Sequence, residues 1–392
     1  MIEITGKYTN ATIYTDNVED GAIKQITDLC NNIASTGSVI KIMPDVHEGN
    51  GCTIGTTMTI RDRITPNLVG VDIACGMLVC ELNVTEIDFE EFDKQVRRSV
   101  PSGFNSRKTI HEFAKSFPIE SLACYGDIKC GDKPLYQLGT LGGGNHFIEL
   151  DRGSDGKLYL VIHSGSRNIG KVIAEYYQDL ACELNFRAAS EARRIIIERV
   201  SKDQIQEELD KVIPANKDLA FLLGEDMANY ISDCNAMYAY ASLNRAIMAH
   251  EIVRNVGGIT IVGAFSTIHN YIDSQEMILR KGAISAKLNE KVIIPMNMRD
   301  GSIIALGKGN PDWNCSAPHG AGRVMGRKEA KRTVQLDDFV KSMEGIYSTS
   351  ISKDTLDESP MVYKPMEEIV KYVDATIDII DVIKPIYNFK SS

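Results

Sequence analysis

Seven histidines punctuate the chain: His47, His111, His146, His163, His250, His269 and His319. His111 and His250 lie in helix-like surroundings and read as structural. The other five stand in Gly/Ser/Pro-rich stretches or at the ends of strand-like runs, where functional groups gather. The stretch "GVDIACGM" (70–77) adds Asp72 and Cys75, a carboxylate and a thiol three residues apart between glycines. That mixture of hard and soft donors suits a borderline transition ion such as Mn, Co or Zn better than Mg or Ca, which avoid sulfur. Taken by itself, the same stretch also reads as a buried thiol beside a capping Asp.

"GTLGGGNHFIEL" (139–150) and "LYLVIHSGSRNIG" (158–170) flank "DRGSDGK", a strong turn signal. A turn centred on Ser154–Asp155 sets His146 directly opposite His163, with Cβ atoms about 5 Å apart, close enough to share a metal. His269, in "STIHNYI" after an apolar run, is a further candidate ligand. His319 sits in "CSAPHGAGRVMGRKEA" among small residues and just before Arg323, Arg327 and Lys328. Local chemistry leaves it open as spectator, metal ligand or reacting group. Glycine-rich turns carrying Arg167, Arg280, Lys281, Lys308 and Arg323 offer backbone N–H groups with positive charge, which is how phosphates are held. None matches a P-loop or a dinucleotide-binding fingerprint.

The elements that must position these groups are short β-type runs such as "LYLVIH", "GITIVGAF" and "KVIIPM". Between about 170 and 256 the pattern turns helical, broken near Lys-Asp-Gln and at Pro214. "KPMEEIVKYVDATIDIIDVIKP" reads as an amphipathic helix from Pro365 to Pro385. An α+β fold results: one large domain over residues 1–392 with a helical segment at 170–256 and the polar chemistry in the loops. The 392 residues carry a formal net charge of −10, which excludes a protein coated with basic residues for nucleic acid; any basic groove is local, with 323–332 the best candidate. No run approaches the ~18 apolar residues of a membrane span. Nine scattered cysteines and no visible export signal point to reduced thiols and the cytoplasm.

In order along the chain, "PDVHEGNG..IG" (44–55), "GVDIACGM", "GTLGGGNHFIE", "HSGSRNIG", "RKGA" (280–283) and "HGAGRVMGR" (319–327) resemble the motifs of the RtcB RNA-splicing ligases. The resemblance implies joining of an RNA 3′-phosphate or 2′,3′-cyclic phosphate end to a 5′-hydroxyl end, with GTP and two Mn²⁺ ions. A histidine takes GMP from GTP, passes it to the RNA 3′-phosphate, and the 5′-hydroxyl then expels it. The matched metal ligands are Asp72, Cys75, His146, His163 and His269, and His319 matches the nucleophile. Asn145 and Glu149 match guanylate contacts, Gly320 and Gly322 give the guanylate room, and Lys390 matches the lysine that reads the guanine edge. Arg323 and Arg327 are best placed for phosphate, while Asp45 and His47 lie in the opening motif without a firm role. An archease-like activating protein is an implied partner. The chain departs from the family in "PMNMRDGS" (295–302), bulkier than the expected loop, and in its shorter length, which together mark a subgroup given to RNA repair rather than tRNA splicing. A metal-dependent phosphoesterase is the alternative reading, and a silent RNA-binding relative a third.

Overall fold

The computed structural model describes residues 1–212 and 215–391, so the expected break at Pro214 lies outside the described residues. A seven-stranded antiparallel sheet runs, in spatial order, Ile261–Ile268, Gly76–Leu82, Leu158–Ser164, Phe147–Arg152, Ile377–Lys390, Gly301–Gly307 and Lys291–Asn297. The sheet curls until its two outer strands meet, where the Ile293 N–H donates to Thr267 Oγ1 at 3.2 Å. Met77, Val79, Phe147, Val161, Ile293, Ile304 and Ile383 fill the inside of the curl. On the outer face Ile148, Leu150, Leu160 and Ile162 pack on Met248 and Ile252 of a long helix. Alternation of the two sets along one strand is what burial on both faces demands.

A second, six-stranded sheet contains Ile40–His47, Ile54–Thr59 and Ile278–Lys281. It shares its core with the helices Arg167–Arg199 and Gly224–Val256. Gly224–Val256 buries Tyr230, Cys234, Met237, Ala241, Asn244, Arg245 and Met248, steps of one to four residues that wrap one face and part of another. Within 170–256 the described residues hold the helices Arg167–Arg199, Ile205–Lys211 and Gly224–Val256. The last of these is core, not a peripheral addition. Among the described residues no helix is long and apolar enough to cross a membrane, and all nine cysteines are free thiols.

Two expectations need correction. The helix predicted from Pro365 to Pro385 ends at Val373, and Ile377–Lys390 is a strand of 14 residues. Its Asp–Ile–Ile–Asp–Val–Ile run mimics a helical stripe, yet the β-branched side chains favour a strand held on both sides. The first half pairs with Gly301–Gly307 and the second with Phe147–Arg152, with a register shift at Pro385, which has no N–H to give. The 147–164 hairpin is also one residue out of the predicted register. His163 pairs with Phe147, because the turn spans Gly153–Lys157 with an odd number of residues. His146 stands just outside the strand.

The register lines up strand ends along one edge of the curled sheet. Ile268 pairs with Gly76, Gly76 with Ser164, His163 with Phe147, and Phe147 with Lys390. Residues at these ends, or one step beyond, converge on a single place.

Candidate active site

Asp72 and Cys75 are held by a tight turn in which Cys75 N–H donates to the Asp72 carbonyl at 3.1 Å. Ala74 adopts a left-handed φ of 60°, and Cys75 then leads into the strand Gly76–Leu82. The Cys75 Sγ lies 3.2 Å from His163 Nε2 and 3.4 Å from His146 Nε2, and Asp72 Oδ2 is 3.0 Å from His146 Nε2. Each of these two imidazoles donates its Nδ1–H to a backbone carbonyl, His146 to Leu141 (2.9 Å) and His163 to Asn145 (3.2 Å). That bond fixes the tautomer and turns Nε2 toward the thiol, the usual support of a metal-ligating histidine. His269 adds a third ring, 5.2 Å from that of His163. At Gly165 a Cβ would stand 2.1 Å from Asp72 Oδ1, so only glycine lets that loop close over the carboxylate.

Burial, reinforced by neighbouring rings, pushes His163 and His269 well below the ordinary imidazole range, so both stay neutral. Burial and the adjacent Asp72 push the Cys75 thiol well up. The donors of Cys75, His146 and His163 lie within 4.8 Å of one another, the one such Cys/His/carboxylate group among the described residues. Imidazole nitrogens turned toward a buried thiol, with a carboxylate beside them, fit a divalent transition ion.

Across from this cluster stands His319, brought in by a two-stranded ribbon of Ala283–Ser285 and Ser316–Pro318. Its ring centre is 5.0 Å from that of His269. Its Nδ1–H donates to Asp45 Oδ2 at 2.6 Å, and the same oxygen accepts the N–H groups of His319 (3.1 Å) and Gly320 (3.2 Å). Asp45 is fully buried. A Cβ at Gly322 (φ 74°) would meet the Asp45 carbonyl at 2.5 Å, so this glycine is required by the backbone crossing before any ligand is considered. With Nδ1 occupied, the lone pair of His319 sits on Nε2.

The space between is a pocket of about 540 Å³ lined by His163, His269, His319, Asn145, Glu149, Gly320, Gly322, Arg323, Arg327 and Lys390 among others. On one wall Lys390 Nζ meets Glu358 Oε2 at 3.0 Å, and Arg327 and Tyr363 reach the same carboxylate at 2.6 and 2.8 Å. Burial alone would push Glu358 up, but Lys390, Arg327 and the Tyr363 hydroxyl outweigh it and hold it down at about 2. Burial pushes the Glu149 carboxyl up, against Lys390 and the Asn388 amide.

Of the expected residues, His163, His269, His319, Asn145, Glu149, Gly320, Gly322 and Lys390 line this pocket, while Asp72, Cys75 and His146 are joined to it through the Cys75–His163 contact. The anion candidates divide. Arg323 and Arg327 line it, and Arg167 does not; its guanidinium donates to Thr140 Oγ1 (3.2 Å) and interacts with Asp72 behind the pocket. Arg280, Lys281 and Lys308 do not line it. Arg280 is fully buried on Ser316, Tyr271 and the Asn314 carbonyl, and Lys281 is bound to the carbonyls of Asn50 and Asn67. Lys308 pairs with Asp378 at 3.0 Å. In these three the glycine-rich turn is ordinary structure.

The supports of these loops lie elsewhere in the chain. From the long helix, Asn244 accepts the N–H groups of Gly139 and Thr140 and donates to Ser164 Oγ and Gly165 O. Its neighbour Arg245 donates to the carbonyls of Ala74 (3.2 Å) and Ser164 (2.8 Å). Two consecutive polar residues on the buried face of an otherwise apolar stripe were the available signal. Asp45 was marked only by its place in the opening motif, and Glu358 carried no signal beyond the type of residue.

These features define an α+β protein with a thiol–imidazole cluster and a carboxylate-backed histidine facing each other at the edge of a curled sheet. The family model for tRNA-splicing ligase RtcB matches residues 29–122 and 128–391, and the chain belongs to that family. It is 29% identical over 381 residues to the RNA-splicing ligase RtcB of Escherichia coli K12, covering 88% of this chain and 87% of the relative. It is 27% identical to the tRNA-splicing ligase RtcB of Aeropyrum pernix, over 93% of this chain and 91% of that protein. An RNA-splicing ligase RtcB homolog 1 of Entamoeba histolytica is 23% identical over 87% of this chain and 78% of its own length.

Proposed function

We propose that this protein is an RNA ligase, acting over its whole length as one unit, that seals 3′-phosphate or 2′,3′-cyclic phosphate ends to 5′-hydroxyl ends in RNA repair or tRNA splicing. GTP is the energy source and GMP passes through His319. The observation that carries this reading is the Asp45–His319 pair, with Nε2 free on the pocket side. Attack by Nε2 on the α-phosphorus of GTP forms an N–P bond and expels pyrophosphate. The ring becomes cationic as that bond forms, and the buried Asp45 carboxylate is already in place to stabilise it. The RNA 3′-phosphate then takes the GMP from His319, and the 5′-hydroxyl displaces GMP to complete the phosphodiester.

Cys75, His146, His163, His269 and Asp72 would hold Mn²⁺, which supplies charge neutralisation at the reacting phosphate when bound. Lys390, Glu149 and Asn145 border the space for the guanine nucleotide, and Arg323 and Arg327 offer charge to its phosphates. The bulkier 295–302 loop contributes Pro295, Met296, Asn297 and Met298 to the same pocket, where RNA ends would be selected. An archease-like helper that speeds turnover belongs to this reading.

The test is a joining assay with RNA fragments bearing 3′-phosphate and 5′-hydroxyl ends, with GTP and Mn²⁺. Sealed RNA is expected. Release of phosphate or opening of the cyclic phosphate without joining would replace the ligase with a phosphoesterase.

A further inference from the structure

His47 is the one histidine of the pocket with no part in the chemistry described so far. It ends the strand Ile40–His47, two residues beyond Asp45. Asp45 backs His319, and His47 lines the pocket next to it. The His47 Nδ1 lies 2.9 Å from the Asp45 carbonyl oxygen, which can only accept, so Nδ1 carries the proton. Nε2 is left with its lone pair and, among the described residues, no hydrogen-bond partner.

The titratable groups facing this ring are Asp45 on its own strand, Glu48 just beyond it, Glu19 capping the helix Asp20–Cys30, and His319 across the pocket. Burial and His319 push the imidazole down, against the Asp45 carbonyl and the carboxylates of Asp45 and Glu19, so the ring is neutral near pH 7. A neutral imidazole with a free lone pair is a proton acceptor in waiting.

The wall around His47 also differs in sign from the rest of the pocket. Arg323, Arg327 and Lys390 lie with Glu358 and Tyr363, whereas His47 has Glu48, Glu19 and Ile54 for company. Glu19 accepts the Glu48 N–H at 2.6 Å, and neither carboxylate has a basic partner among the described residues. Two unpaired carboxylates repel a phosphate-bearing group. The reactant that comes to the pocket without a terminal phosphate is the 5′-hydroxyl end.

We propose that His47 is a catalytic residue of the sealing step, the general base for the 5′-hydroxyl; this rests on the ligase reading above. The 5′-oxygen gives its proton to His47 Nε2 and forms the new P–O bond. The bond from that phosphorus to the guanylate oxygen breaks, and GMP leaves with the electron pair. His47 then loses its proton to water. Adduct formation on His319 and transfer of GMP to the 3′-phosphate do not pass through His47.

The experiment follows the three steps separately in the full-length protein with GTP and Mn²⁺, for wild type, His47→Gln and His47→Ala. Glutamine keeps a donor for the Asp45 carbonyl but cannot accept a proton, and alanine tests the same loss without a bulky side chain. In both variants the protein–GMP adduct and the guanylylated RNA 3′ end are expected at near wild-type rates. Sealing is expected to fall about a hundredfold or more, so activated RNA accumulates, and the acidic limb of its pH profile disappears. Sealing within threefold of wild type, or an equal fall in all three steps, would overturn the assignment. A wild-type protein that forms no adduct would instead defeat the ligase reading before His47 is reached.

Discussion

Four imidazoles in or beside the pocket are aimed through Nδ1, but their partners differ. His47, His146 and His163 lean on backbone carbonyls, and only His319 among them leans on a carboxylate, that of Asp45. A carbonyl fixes the tautomer and leaves the ring neutral, which suits a metal donor. A carboxylate does that and also stabilises a ring that becomes positive, which suits a nucleophile. The same residue type is thus given two roles by what stands behind it.

Turning the carboxylate behind His319 into an amide should separate the two roles most strongly. Asp45→Asn is expected to slow adduct formation on His319 by on the order of a thousandfold or more, as loss of a carboxylate behind a catalytic histidine does elsewhere. It should leave Mn²⁺ binding intact, measured by the ion's protection against thermal unfolding. On the other side of the pocket, Cys75→Ala should abolish that Mn²⁺ protection and cut adduct formation at least about a hundredfold. If Asp45→Asn removes the metal effect, or Cys75→Ala spares it, the division of labour is wrong.

A smaller effect separates the charged wall from the cluster. Glu358 is held at about 2 in the folded chain against 4.5 for the free group. A depressed carboxyl contributes stability that is present above its unfolded value and is lost as pH falls through the folded one. Acid titration of stability should therefore show a loss on the order of 3 kcal/mol between about pH 4.5 and 2 that Glu358→Gln removes. Arg245→Met should lower stability by about 2 kcal/mol in chemical denaturation, since the Ala74 and Ser164 carbonyls lose their donor. Lys308→Ala, at a pair on the surface away from the pocket, should leave joining activity unchanged.

Much of the site was legible because its loops are short, glycine-rich and chemically marked. Cys75, His146, His163, His269 and His319 announced themselves by type and company. What could not be read was whatever depends on pairing across the chain. The hairpin register turned on one extra residue in the 153–157 turn. The strand Ile377–Lys390 looked helical because isoleucine and aspartate alternate irregularly, and only its two neighbours decide otherwise. Arg280 and Lys281 looked like anion holders, and only the fold shows their charges spent on hydroxyls and carbonyls. Asn244 and Arg245 were hidden in a helix whose pattern reads as plain core.

In the proposed reaction His319, backed by Asp45, takes GMP from GTP. Incubation of the intact protein with α-labelled GTP and Mn²⁺, followed by peptide mapping, tests it directly. One acid-labile, alkali-stable guanylate is expected on the peptide containing His319, lost in His319→Ala. No adduct, or an adduct that survives that substitution, would contradict it.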